Sequence, residues 1–241
     1  MHMHHTAMGN VLPAKDAGHL PDPPGAAQAA AQDSTRERIL AAAEGIFLEE
    51  GFDKATVRDI CGRAKANVAA VNYHFRDKRS LYYEVMFGWA NKIMARYPLD
   101  MGVEQGMTPE QRLEAFVHAE LLRLLTSFDA DPAKGLRRAR LVMSELTCES
   151  PNKDLLAALH RPSKEYLGLI LADLLGPDAP RTAMDQCANL VIGQCVHYLL
   201  SRLAGLDEDI SLETEDDIRA LTQRIAIFSL GGIRAVKETL P

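Results

Sequence analysis

The sequence predicts an all-α chain, with an N-terminal three-helix helix-turn-helix domain followed by a larger helical domain. Three observations carry this. Apolar residues recur at helical spacing behind Ser, Thr, Asp and Asn caps; hydrophobic residues make up 47% of the chain but aromatic residues only 6%; and no run alternates as a strand would.

The elements follow in order. Residues 1–33 hold MHMHH, Pro13, Pro21, Pro23 and Pro24 and an Ala/Gln run without period, which predicts disorder. Order is expected from Ser34-Thr35-Arg36-Glu37, a Ser-x-x-Glu capping box, ahead of Ile39, Ala43, Ile46 and Phe47 at helical spacing, with Gly51 ending the helix. Thr56 caps a short second helix with Ile60, Cys61 and Ala64 on its inner face. Asn67 caps a third, which turns Val71 and Phe75 inward. Asp77 starts a fourth helix through Leu81, Val85, Trp89 and Ile93 to near Pro98. Thr108-Pro109-Glu110-Gln111 opens a fifth to about Thr126. A break at Asp131-Pro132 precedes a sixth near Leu136 to Cys148, and a seventh spans about Lys153 to Leu175, with Pro162 a kink or junction. Thr182 opens an eighth to about Leu203, and Thr214 a ninth to about Lys237. The domains expected are a disordered extension at 1–33, a head at 34–81 and a body at 82–241.

The last two helices are apolar on more than one face. Val191, Cys195 and Leu199 share one helix with Gly193, and Ile225, Ile227 and Phe228 share the other with Gly231 and Gly232. Burial beyond one monomer is the expectation, two helices from each of two copies forming a four-helix bundle; two internal helices of a monomer are the alternative.

The formal net charge is -6, but it is unevenly spread. Thr35 to Leu81 carries nine Lys/Arg against seven Asp/Glu, while Tyr82 onward carries 17 against 23. An acidic body disfavours whole-surface DNA binding, and a small basic head still allows phosphate contacts. No stretch is apolar for the length of a bilayer and no targeting segment opens the chain, so the cytoplasm is the expected compartment, with no membrane partner. Cys61, Cys148, Cys187 and Cys195 match no zinc spacing, and each reads as a buried small hydrophobe; no metal and no cofactor are expected.

Residues 56–78 read as two short helices joined by a tight turn. In that layout the second helix enters the major groove. Arg58 has the reach and the donors for a guanine edge, and Asn72 can bond adenine in a bidentate manner. Val68 and Ala69 can pack on thymine methyls, and Asn67 sits at the turn. Thr56 can cap its helix and direct the positive end at a phosphate. Tyr73, His74 and Lys78 are the candidate phosphate anchors, with His74 also readable as a helix-end histidine.

The motifs AVNYHF, Asp77-Lys78 and GFDKATVRDI resemble the DNA-binding signature of the TetR family of bacterial transcriptional regulators. The stretch Gly193 to Arg202 is similar to the branch that includes the cefoperazone-sensitivity regulator CecR. The resemblance implies base contact at Arg58, phosphate contacts at Tyr73, His74 and Lys78, a homodimer on an inverted-repeat operator, and a body that binds a small effector and releases the DNA. Where the family often has Gly-Thr at 69 and 70 and Tyr at 72, this chain has Ala69, Ala70 and Asn72, so operator choice does not transfer. Lys65 stands where the family commonly has glycine, so the turn is expected to place a non-glycine residue at positive φ.

Candidate effector-lining residues are Trp89, Phe116, His118, Leu121, Leu125, Met143, Glu145, Tyr166 and Gln194, all equally suited to a core. Their apolar majority predicts a lipophilic effector with Glu145 or His118 as its polar contact. An enzyme would have to draw on His118, Glu120, Cys148, His160 and His197, which form no nucleophile elbow, phosphate loop or metal triad. A regulator controlled by a protein partner, or a ligand-dependent activator, stays open beside the effector-released repressor.

Overall fold

The computed structural model describes residues 26–126, 132–147, 152–206 and 214–240. Its described residues form nine helices and no strand: α1 (Ala26–Lys54), α2 (Val57–Ala64), α3 (Val68–Phe75), α4 (Lys78–Arg96), α5 (Pro109–Leu125), α6 (Pro132–Thr147), α7 (Lys153–Leu175), α8 (Arg181–Ala204) and α9 (Glu215–Thr239). The histidine-rich start and Cys148 lie outside the described residues.

The predicted caps mostly form. Thr56, Asn67 and Asp77 accept from the backbone N–H three residues on, at 3.2, 2.7 and 2.7 Å. Thr108 with Gln111, and Thr214 with Asp217, close reciprocal capping boxes, each motif contributing about 1 kcal/mol. Two expectations are corrected. α1 begins at Ala26, so Ser34 lies inside the helix and caps nothing; the Ala/Gln run ahead of it has the propensity to extend the helix backward. α8 begins at Arg181 behind Pro180, without a side-chain cap, so Thr182 is internal. α7 continues through Pro162. Gly51, at φ 77° and ψ 177°, interrupts α1 as expected of a residue without Cβ.

Two apolar cores result. The first gathers Ile39, Ile46, Phe47, Ile60, Val71, Phe75, Leu81 and Tyr82 from α1 to α4. It continues through Val85, Met86 and Trp89 and takes in Leu141 of α6 and Leu155 of α7. α4 thus crosses residue 81 unbroken and belongs to head and body alike. The second core packs α5, α7, α8 and α9 through Phe116, Leu121, Leu167, Leu171, Val191 and Ile225. Burying one such side chain stabilises by about 1.5–3 kcal/mol. The three described cysteines, Cys61, Cys187 and Cys195, are free and buried within these cores.

Candidate DNA interface and body cavity

α2 and α3 are joined by Lys65, Ala66 and Asn67. Lys65 adopts the left-handed conformation, φ 50° and ψ 46°, which lets Ala66 N–H reach the Cys61 carbonyl at 3.0 Å. A non-glycine residue there costs on the order of 1–2 kcal/mol. At the other end of α3, Arg76 has φ 71° and ψ -53°, and Asp77 N–H bonds the Phe75 carbonyl at 2.8 Å, a γ-turn that aims α4 away from α3. Nothing in the residue types around Arg76 announced this turn.

Most of the predicted DNA-facing residues of α2 and α3 are exposed. Arg58, Asn67, Val68, Ala69 and Asn72 are exposed, and Tyr73 is 72% exposed despite its ring. Asn67 uses its Oδ1 for the cap on Ala70 N–H, which leaves its amide nitrogen outside the cap. The Thr56 hydroxyl is engaged with Asp59 in both directions, so capping is its structural task. His74 is half-buried, edge-on to Tyr73 at 5.0 Å between centroids. Phe75 is buried beneath the Arg36 guanidinium, itself paired with Glu84 of α4.

Lys78 does not match its reading as a phosphate anchor. Its ammonium donates to the carbonyls of Phe52, Ala55 and Asp53 at 2.8, 2.9 and 3.4 Å and sits 4.4 Å from the centre of the Phe52 ring. An ammonium has three donors, and all three are engaged. It is drawn there because the chain leaving α1 exposes carbonyls without helical partners, a negative dipole end.

In the body, α4, α5, α6, α7 and α8 line a partly open cavity of about 260 Å³. Trp89, Leu125 and Met143 line it as predicted, together with Met86, Ile93 and Leu159. The other six candidates lie elsewhere. Phe116 and Tyr166 stack on each other at 6.2 Å, with Phe116 wholly buried in the second core, as is Leu121. His118 bonds Thr222 at 3.1 Å across α5 and α9, and burial holds its imidazole below its ordinary pKa, with Arg219 adding to the effect. Glu145 accepts from Tyr82 at 2.8 Å and from Asn152 at 3.2 Å, a buried clamp joining α4, α6 and α7. Burial, then Glu145, drives the Tyr82 phenol far above its ordinary range, so it stays a donor. Gln194 bonds Ser229 at 3.0 Å on the outer side of α8 and α9. The expectation of Glu145 or His118 as the effector's polar contact is therefore corrected: both are occupied in holding helices together.

The polar residues that do line the cavity are Glu120, Arg123, Thr126, Arg138, His160, Ser163 and Arg202. Arg123 pairs with Glu120, their side chains 6% and 7% exposed, and donates to the Tyr97 carbonyl at 2.9 Å. Ser163 donates to Glu120 at 3.2 Å, and Arg202 to the Leu125 carbonyl at 2.6 Å. Arg138 is buried, its guanidinium carbon 5.0 Å from the centre of the Trp89 ring, and it pairs with Glu44 of α1. Lys134 pairs with the same carboxylate at 2.7 Å. Burial alone would raise the Glu44 pKa, but the Lys134 and Arg138 bonds outweigh it and hold the carboxyl below its ordinary value. The sequence carried a signal for Arg138: with Leu141, Val142 and Glu145 it forms one stripe at helical spacing, where a solvated arginine does not belong.

A third surface feature lies on the outer side of α8 and α9. Leu190, Ile227 and Phe228 are 66%, 72% and 74% exposed, and a side chain at Gly193, Gly231 or Gly232 would meet nothing within this chain. A shallow hollow between Leu190, Gln194, Tyr198 and Ile225 adjoins them. Among the described residues no group of three or more His, Cys, Asp or Glu is placed to hold a metal, and no helix is long and apolar enough to cross a membrane.

Comparison with known proteins accords with this layout. Residues 39–85 match the bacterial regulatory proteins of the tetR family, and residues 109–233 match the C-terminal domain of the HTH-type transcriptional dual regulator CecR. The HTH-type transcriptional repressor BepR of Brucella suis is 38% identical over 52 residues, 22% of this chain and 25% of that protein. The repressor NicS of Pseudomonas putida is 33% identical over 88 residues, 35% of this chain and 39% of that protein. The chain thus spans well under half the length of the curated relatives it matches. A solved transcriptional regulator of Rhodococcus sp. RHA1 superposes with a TM-score of 0.53 at 19% identity, over 82% of this chain and 96% of that one, which shows the fold. With its head and more than half its length matched, the chain belongs to the TetR family of bacterial transcriptional regulators, DNA-binding proteins rather than enzymes, in the branch that carries a CecR-type C-terminal domain.

Proposed function

We propose that the chain is a homodimeric repressor, acting on DNA in the cytoplasm, that leaves its operator when a small, largely apolar effector fills the body cavity. The head at 34–81 reads DNA, and the body at 82–241 binds effector and partner. Arg58, Asn67, Val68, Ala69 and Asn72 meet base edges; Tyr73 and His74 meet the phosphate backbone, as does the positive end of the helix that Thr56 caps. Lys78 acts from behind, holding the α1 end in place. The two relatives named as repressors, BepR and NicS, support the sign of regulation. The dual regulator CecR supports an activating role on some promoters as a second reading.

One observation carries the proposal: α4 is at once a wall of the cavity, through Met86, Trp89, Ala90, Ile93 and Met94, and a member of the head core. Occupancy of the cavity therefore bears on the helix that positions α3. In a dimer the two recognition helices must lie about one duplex turn apart, roughly 34 Å, and a small tilt of α4 spoils that match. The operator is identified by selection from random duplexes, with an inverted repeat expected. Compounds that quench the fluorescence of Trp89, the only tryptophan in the chain, are then titrated against the protein–operator complex. Release of DNA by such compounds is the expected outcome; tighter binding reverses the sign to activation. Unchanged operator affinity with a filled cavity removes the switch.

A further inference from the structure

The charge inside the cavity selects the class of effector. Its walls are mainly apolar, yet three arginines line it against one glutamate. Arg123 neutralises Glu120 in a buried pair. Glu44, just behind, receives both Lys134 and Arg138. Arg202 bonds a carbonyl and pairs with no carboxylate among the described residues. Among the described residues, Arg123, Lys134, Arg138 and Arg202 thus stand beside the cavity, with Glu120 and Glu44 as carboxylate partners. A neutral hydrocarbon would leave those cations in place and dehydrate them, and a cationic ligand would add to them. An anion with an apolar body satisfies both the walls and the charge. A guanidinium presents paired donors that match the two oxygens of a carboxylate. Trp89 adds a buried indole N–H without a partner to the same wall.

We propose that the cavity binds an amphiphilic carboxylate, an apolar chain or ring system ending in a single carboxylate, and that Arg138 receives this head by exchanging Glu44 for it. The proposal rests on the reading of the cavity as the effector site. Arg138 is the residue that joins cavity and head: it lies over Trp89 on one side and holds α1 through Glu44 on the other. When the ligand carboxylate takes Arg138, Glu44 keeps only Lys134 and the tie between α6 and α1 loosens. The ligand and Glu44 compete for one guanidinium, and that competition converts binding into movement of the head.

The test uses the full chain, Trp89 fluorescence, and three probes with one tail and different heads: decanoate, decanol and decyltrimethylammonium, all below micelle formation. Decanoate is expected to bind roughly ten-fold tighter than either of the others, the scale of one charged hydrogen bond. In Arg138→Gln that margin collapses while decanol still binds, which shows the cavity intact. In Glu44→Gln decanoate binds tighter than in the unaltered chain, because its competitor is gone. Should Arg138→Gln not fold, the probe series and Glu44→Gln decide on their own. Equal binding of decanoate and decanol, preference for the ammonium, no fluorescence response to any probe, or weaker decanoate binding in Glu44→Gln each overturns the proposal. If decanoate shows its margin but operator affinity does not change, the ligand class stands and the release reading falls.

Discussion

Lys78 bonds three carbonyls at the end of α1, and a side chain so placed acts on DNA only through the backbone it holds. Lys78→Met is expected to destabilise the fold by about 1–2 kcal/mol in urea denaturation. It should weaken DNA binding without changing the slope of log affinity against log salt. Loss of a direct phosphate contact would instead lower that slope by about 0.9. Arg58 and Asn72 lie on the exposed face with their donors available. Arg58→Ala or Asn72→Ala should each relax preference at one base pair by ~1–3 kcal/mol, whereas Tyr73→Phe should weaken all duplexes alike. Competition between selected and scrambled duplexes separates these cases. His118 gives a pH signature of known sign. Burial lowers its folded pKa below 6.5, so in acid the unfolded chain takes up a proton that the folded chain refuses. Stability from this site is full above 6.5 and falls as pH drops toward the folded value. Urea midpoints measured from about pH 5 to pH 7.5 should rise with pH, and His118→Gln should flatten part of that rise.

At the scale of elements, α8 and α9 carry the surface a second copy would cover. Leu190, Ile227 and Phe228 cannot be solvated without cost, and the adjacent glycines let another backbone approach. The double variant Ile227→Asp, Phe228→Asp should sediment as a monomer at micromolar protein and lose operator binding, while its helical circular dichroism persists. A dimer that survives these two charges would place the interface elsewhere. α4 is the other element with two roles: Asp77 caps it within the head, and Tyr82 ties it to Glu145 and Asn152 in the body.

For the whole molecule, the proposed switch makes DNA and effector competitors through one set of helices. By linkage, the factor by which effector weakens operator binding equals the factor by which operator weakens effector binding. Trp89 fluorescence titrations with and without saturating operator duplex should return that same factor. Two different factors would mean that effector and operator do not act on one shared equilibrium.

The sequence by itself determined the local structure: the caps at Thr56, Asn67, Asp77, Thr108 and Thr214, the helix periods, and the exposed face of α3. These depend on residues within one or two turns of one another, and so they are legible in a single string. Family motifs supplied the role of the head for the same reason, since they occupy one continuous stretch. Only the tertiary structure decided which body residues share the cavity. Phe116, Leu121 and Leu125 all lie on α5 and in the second core, and helix rotation against α7 and α9 brings only the third of them to the cavity wall as well. It also decided that Lys78 serves the α1 end, that Glu145 is a clamp, and that Arg138 joins Trp89 to Glu44 across 94 positions of chain. A polar side chain's partner is set by which helix lies opposite, and that is fixed by packing of the whole rather than by neighbours in sequence.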